Sequence, residues 1–363
     1  MNERRPLNES YEALPSHDSD ALTSVDQVVA TKPSTIRWVF FGPDGLRAGW
    51  SILVFIALIF GFFKGVTALN NVVHLFPNGG PPKTGVPLSF LVAAESVPII
   101  GTLLVTWIMS RIERRPVGVY GLGGQRKLSR LLAGLAWGVA CLSLLVLILW
   151  KAGLLVIDSR LLFGSSLFQL GAVWLGGFLL VGVQEEYLNR GYLQYTLSRG
   201  LSGFYGWAFK TRHSAALGFW TSAVVISILF GLGHGKNPGE SPIGLLSAAI
   251  VALVFCLSLW RTGSLWWAIG FHAAWDWAQS FLYGVADSGL MMQHHLLATH
   301  PLGKPILSGG ATGPEGSIFI LLIFALIVAV ILLTLPRTNE GYLAISAQRI
   351  EPWHDQCQES DSP

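Results

Sequence analysis

The run Gln184-Glu185-Glu186-Tyr187-Leu188-Asn189-Arg190 puts two carboxylates and a guanidinium into a stretch that is otherwise suited to lipid. Leu167 to Val183 before it is almost wholly apolar, and Gly191 to Leu197 after it carries no charge. Ionised groups at membrane depth are costly unless paired or wetted, so they mark function more often than filler. On a helix Glu186 precedes Arg190 by one turn, acid before base, which is the favoured order for a side-chain pair. Glu185 then points about 100° away, on the stripe it shares with Leu188, Asn189 and Tyr192. It needs a partner from another segment.

Two later apolar segments offer one. Phe230-Gly231-Leu232-Gly233-His234 closes the run that begins near Ala215, and His272-Ala273-Ala274-Trp275-Asp276 lies inside the run that begins near Leu265. His272 and Asp276 stand at i and i+4, on one helical face. A carboxylate with imidazoles can activate water and supply donors to an oxyanion, which is what attack on a peptide bond requires. Each residue also has a structural reading. Glu185 can be a buried structural acid, His234 and His272 can be hydrogen-bonded packing histidines, and Glu186 with Arg190 can be an ion pair inside a bundle. Phe230 reads as a packing residue, and Gly231, Gly233 and Gly235 as positions of close helix approach.

The elements that hold these residues follow from composition. The 363-residue chain is 52% hydrophobic and only 12% charged, against about 25% charged for a soluble domain, and its mean hydropathy is +0.52. The expected fold is therefore all-α, a polytopic transmembrane helical bundle. A span needs about 20 apolar residues, and eight candidates are read, at roughly 48–68, 86–109, 131–150, 167–188, 215–235, 242–260, 265–284 and 317–335. Residues 1–35 are polar, acidic and poor in aromatics, without the apolar core of a signal peptide, and read as a disordered cytoplasmic tail. Ile36 to Pro43 reads as an interfacial anchor or a plain linker. Residues 36–166 are the N-terminal membrane helices, 167–286 the core bearing the motifs, 287–336 an outer loop with the last helix, and 337–363 a polar tail. Cys141, Cys256 and Cys357 show no metal spacing.

In order and spacing the three motifs, EExxxR, FxxxH and HxxxD, resemble those of the CPBP family, the type II CAAX prenyl endopeptidases and their bacterial relatives. The residues that match are Glu185, Glu186 and Arg190, then Phe230 and His234, then His272 and Asp276. The resemblance covers roughly residues 167–286. It implies a membrane-embedded endopeptidase of the glutamate type. Glu185, helped by His234, would polarise the water, while His272 and its i+4 partner stabilise the oxyanion. Many family members carry Asn at the position of Asp276, and an ionised Asp only accepts hydrogen bonds. Asp276 then either is protonated or, the favoured reading, orients His272. Glu186, Arg190 and Phe230 would be supporting residues.

The resemblance implies no cofactor, yet Glu185, His234, His272 and Asp276 are all zinc-ligand types. A catalytic divalent metal stays open, although no HExxH is present. Expected partners are a peptide or membrane-protein substrate, lipidated by family analogy only, and the lipid bilayer. Basic residues flank apolar spans without forming a polar basic face, so no nucleic acid is expected. Their excess on alternate loops, with Arg111, Arg114 and Arg115 foremost, predicts both termini inside, at the plasma membrane. The alternative function is a non-catalytic scaffold or immunity factor that binds a peptide in the same cavity. Outside the motifs, Glu95 is an intramembrane acid that either lines a substrate path or pairs with a neighbouring helix. Met291 to His295 with His300 is either a weak soft-metal site or an ordinary loop.

Overall fold

The computed structural model describes residues 39–42, 45–74, 82, 85–335 and 342. The tails expected over 1–35 and 337–363 lie outside them, Tyr342 apart, as do Ile36, Arg37, Trp38 and Pro43. The described residues are mostly helical. The longer helices among them are α1 Ala48–Val73, α2 Leu88–Ile112, α3 Lys127–Lys151, α4 Ser165–Glu186, α5 Gln194–Phe209, α6 Ser214–Gly233, α7 Pro242–Thr262, α8 Trp266–Trp277 and α9 Ile320–Thr334. Runs of Leu, Ile, Val, Phe and Ala make these elements, and local chemistry sets their ends. In α7 the Ser241 hydroxyl accepts from the Gly244 N–H, Pro242 occupies the first turn, and Gly263 closes the helix at φ +64°, where a residue without a Cβ fits best.

Among the described residues six helices are long and apolar enough to cross a membrane: α1, α2, α3, α7, a continuous 45-residue helix from Ser165 to Phe209, and Ser214–Lys236. The last two of the eight predicted spans hold shorter helices. The segment 265–284 is α8 of 12 residues, which runs on through a wider π-helical turn over Ala278–Leu282, and α9 has 15 residues. For α8 the reason lies in its surroundings. Trp267, Ala268, Ile269, Gly270, Phe271, Ala273 and Ala274 are all buried, so α8 is an internal strut that meets protein on its sides and need not match a bilayer's thickness. At about 1.5 Å per residue the 45-residue helix runs about 67 Å, against about 30 Å of hydrocarbon, so it must tilt steeply or project beyond it.

Small residues hold α8 against its neighbours. Gly134 and Gly138 of α3 lie against the carbonyls of Trp267 and Phe271, Gly270 of α8 lies against the carbonyl of Leu131, and a Cβ on any of the three would overlap backbone. On the other flank a Cβ on Gly182 of α4 would come to 2.9 Å from the Ile269 oxygen. Such close approach is how membrane helices gain packing energy where no hydrophobic drive acts between them. Gly270→Val is therefore expected to cost about 1–3 kcal/mol through overpacking, read as a lower thermal midpoint of the detergent-solubilised chain. The same change at Gly176, where nothing stands within 4 Å, should leave that midpoint unchanged.

The strand β1, Leu155–Arg160, pairs antiparallel with β2, Leu297–Pro301, from Leu155 opposite Pro301 to Arg160 opposite Leu297. This ribbon ties the loop after α3 to the loop before α9. Two of the residues read as a soft-metal site are used within it and beside it, since His300 Nδ1 lies 2.8 Å from Asp158 and His295 Nδ1 lies 2.6 Å from the Leu297 carbonyl.

Candidate active site

Glu185 and Glu186 end α4, and directly after them the helix widens into a π-helical stretch, Tyr187–Leu193. A π segment advances fewer degrees per residue than an α-helix and is often found beside functional groups. Here it turns Tyr192 away from the stripe predicted for Glu185. Leu188 and Asn189 do line the same cavity as Glu185, whereas Tyr192 is fully buried, stacks on Phe55 at 4.1 Å and donates to Glu113 at 3.0 Å. A second π-helical turn follows Asp276 in the same way.

The two adjacent acids have different environments. Glu186 is sealed, with no exposed side-chain surface, and its Oε1 lies 2.6 Å from Arg190 Nη1 and 2.9 Å from His272 Nδ1. Glu185 retains 28% of its side-chain exposure, and its Oε2 lies 3.7 Å from His272 Nε2. Asp276 reaches the same Nε2 at 3.5 Å. His272 is thus held at Nδ1 by Glu186 and faces two carboxylates at Nε2. The shorter contact that holds the ring comes from Glu186, whereas the sequence pattern assigns that task to Asp276.

His234 stands at the end of α6, its Nδ1 2.9 Å from the Phe230 carbonyl oxygen. A carbonyl only accepts, so in the neutral ring Nδ1 carries the proton and Nε2 keeps its lone pair. Phe230 packs between these groups. Its ring lies 4.8 Å from that of His234 and 6.3 Å from that of His272, and the Arg190 guanidinium sits over its face at 4.5 Å.

A cavity of about 460 Å³ opens onto this cluster, and Glu185, His234, His272 and Asp276 all line it. Its other walls come from α2, through Leu91, Glu95 and Pro98, and from the loop after α8, through Asp287, Ser288 and Met292. Glu95 thus faces the cavity. A smaller space of about 70 Å³ shares both histidines and reaches Ser247 and Val251 of α7. Among the described residues no three His, Cys, Asp or Glu side chains are grouped to hold a metal ion.

Sequence reasoning did not pick Gln184, Asn237, Asp287 or Ser288, all of which line the cavity. Glu315, just before α9, turns inward and accepts from Gln279 Nε2 at 3.0 Å and from the Ser288 backbone N–H. Burial, with Asp276 and Glu315 nearby, pushes the Asp287 carboxyl well above the usual carboxylate range. Burial raises Glu315 as well, against the hydrogen bonds it accepts. The only signal for these residues was their place just beyond apolar runs.

The three motifs thus surround one cavity, and the stretch that carries them is similar to a known family. Residues 167–278 match the family model for type II CAAX prenyl endopeptidase, Rce1-like. The Rce1-like stretch begins in α4 and ends as the second π-helical turn starts, so it contains every motif residue from Glu185 to Asp276. No curated protein and no solved structure matches the chain. The Rce1-like match supports a protease acting on a peptide substrate. With six helices of membrane length, it supports an integral membrane setting.

Proposed function

We propose that the chain is an intramembrane endopeptidase in which Glu185 is the general base. The observation that carries this reading is the division of labour between adjacent acids. Glu186 is sealed by Arg190 and His272, while Glu185 opens onto the cavity beside His272. Glu185 takes a proton from a water that also donates to the Nε2 lone pair of His234. The water oxygen adds to the peptide carbonyl carbon. His272, protonated at both nitrogens, donates Nδ1–H to Glu186 and Nε2–H to the oxyanion, with Asp276 keeping the ring's outer face anionic. Glu185 then passes its proton to the amide nitrogen, and the C–N bond breaks to give an amine and a carboxylic acid. Each proton leaves and arrives on a named group.

Substrates are peptide segments that reach the cavity from the membrane, with a lipidated C-terminal segment the one suggested by the family's description. Both termini inside is the topology that the basic loops support, and the plasma membrane is the setting we propose for it. The family resemblance of the motifs is what favours a reaction that proceeds without a metal.

The test is an internally quenched peptide library given to the full chain in proteoliposomes. Cleavage is expected, at rates unchanged by EDTA or 1,10-phenanthroline. Inhibition by chelators, reversed by one divalent ion, would return the metal reading. No cleavage of any peptide, together with tight binding of one, would favour a peptide-binding scaffold.

A further inference from the structure

Three carboxamides line the large cavity, those of Gln184, Asn189 and Asn237. Two are committed. Asn189 Nδ2 donates to the Glu185 carbonyl at 2.8 Å, and Asn237 Nδ2 donates to the Ser288 carbonyl, also at 2.8 Å. Gln184 differs. It is only 7% exposed, its Oε1 is sealed from solvent without a partner, and its carboxamide makes no hydrogen bond within the described residues. A buried carboxamide left unpaired lowers stability and calls for an explanation.

Its position supplies one. Val181, Gln184, Glu185 and Leu188 lie along one face of α4 and its continuation, and all four line the cavity, so the carboxamide flanks the carboxylate that meets the water. An extended peptide crossing that face offers alternating carbonyl and N–H groups, which a carboxamide complements with either end. The chemistry also lacks a neutral donor. Asp276, when ionised, donates nothing, and His272 is the one ring turned to both Glu185 and Asp276.

We propose that Gln184 is a substrate-binding residue whose carboxamide hydrogen-bonds the peptide backbone at the scissile bond, its partnerless Oε1 accepting from a substrate N–H and its NH₂ donating to the carbonyl oxygen on which negative charge develops. This rests on the endopeptidase reading of the cavity and assigns it a further polar participant. The orphaned state of the side chain is then the empty form of a contact completed by substrate. Such residues make the protein less stable than it would otherwise be.

The test pairs kinetics with stability on Gln184→Met, which keeps length and removes both polar ends, and on Gln184→Asn. With the best-cleaved quenched peptide, Gln184→Met is expected to lower kcat/KM at least about tenfold, as loss of an oxyanion donor does. The thermal midpoint should hold or rise, because a buried unpaired group has gone. Gln184→Asn should fall between. A kcat/KM within about twofold of the parent overturns the proposal, as does a loss of activity matched by a fallen midpoint, since a packing role would give that pattern. If the parent cleaves no peptide, the hydrolase reading fails on its own, and binding still decides the contact. Weakening by about tenfold or more, in Gln184→Met, of the fluorescent peptide held most tightly by the parent supports it, and equal affinity sinks it.

Discussion

Replacing Glu185 by Ala is expected to lower kcat by about 10²–10⁴, the range supplied by a positioned general base, with the folded state little changed. The two halves of that expectation have separate origins. Activity falls because Glu185 is the partly exposed acid that faces the cavity, 3.7 Å from His272 Nε2. Stability holds because Glu185 Oε2 accepts no hydrogen bond, so truncation leaves no donor stranded. Glu185→Gln sharpens the comparison, since it keeps the shape and loses the base. It should be as inactive as Glu185→Ala while still binding peptide. Quenched-peptide kinetics and a thermal melt in the same detergent check both halves. If Glu185→Gln retains a tenth or more of the parent's kcat, another group takes the proton and Glu185 is not the base.

The contrast with Glu186 explains how much of this the chain itself announced. Adjacent identical residues cannot share a helical face, so from the sequence alone one acid was expected to pair with Arg190 and the other to look for a partner elsewhere. The Glu186–Arg190 ion pair is present at 2.6 Å. The sequence did not disclose that His272 joins the pair, because that contact crosses 86 positions and depends on how closely α8 is drawn to α4 by Gly182. The stripe through Tyr192 also failed, since nothing in Tyr187 to Leu193 marks a π-helical turn. The basic loop at Arg111, Arg114 and Arg115 was legible only as a topology signal. In the structure Glu113 within it is buried, within 3.7 Å of both Arg115 and Arg199 and bonded by the hydroxyls of Tyr120 and Tyr192. Hydropathy registers length and apolarity, so it found the six long helices. It could not tell that α8 is enclosed by protein and shorter than a span.

Removing Arg190 should be the most damaging single change to stability. Its side chain is 2% exposed, it bonds Glu186 at 2.6 Å, and its guanidinium lies over the rings of Phe230 at 4.5 Å and Phe255 at 5.7 Å. Breaking a buried pair from one side strands the other charge and typically costs about 3–5 kcal/mol. Here His272 remains on Glu186 Oε1 at 2.9 Å, which holds the expected cost of Arg190→Met near about 3 kcal/mol, the lower end of that range. Arg190→Lys keeps the charge but not the planar stack on two rings, and should recover only part. The double change Glu186→Gln with Arg190→Met removes both charges and should be more stable than Arg190→Met alone, the non-additivity expected of directly coupled groups. Its activity should nonetheless stay low, because His272 then lacks the anion that holds Nδ1. Thermal melts of the three variants and the parent settle the ordering. An Arg190→Met variant as stable as the parent would mean that Glu186 is satisfied by His272 alone, and that the arginine's task lies in catalysis.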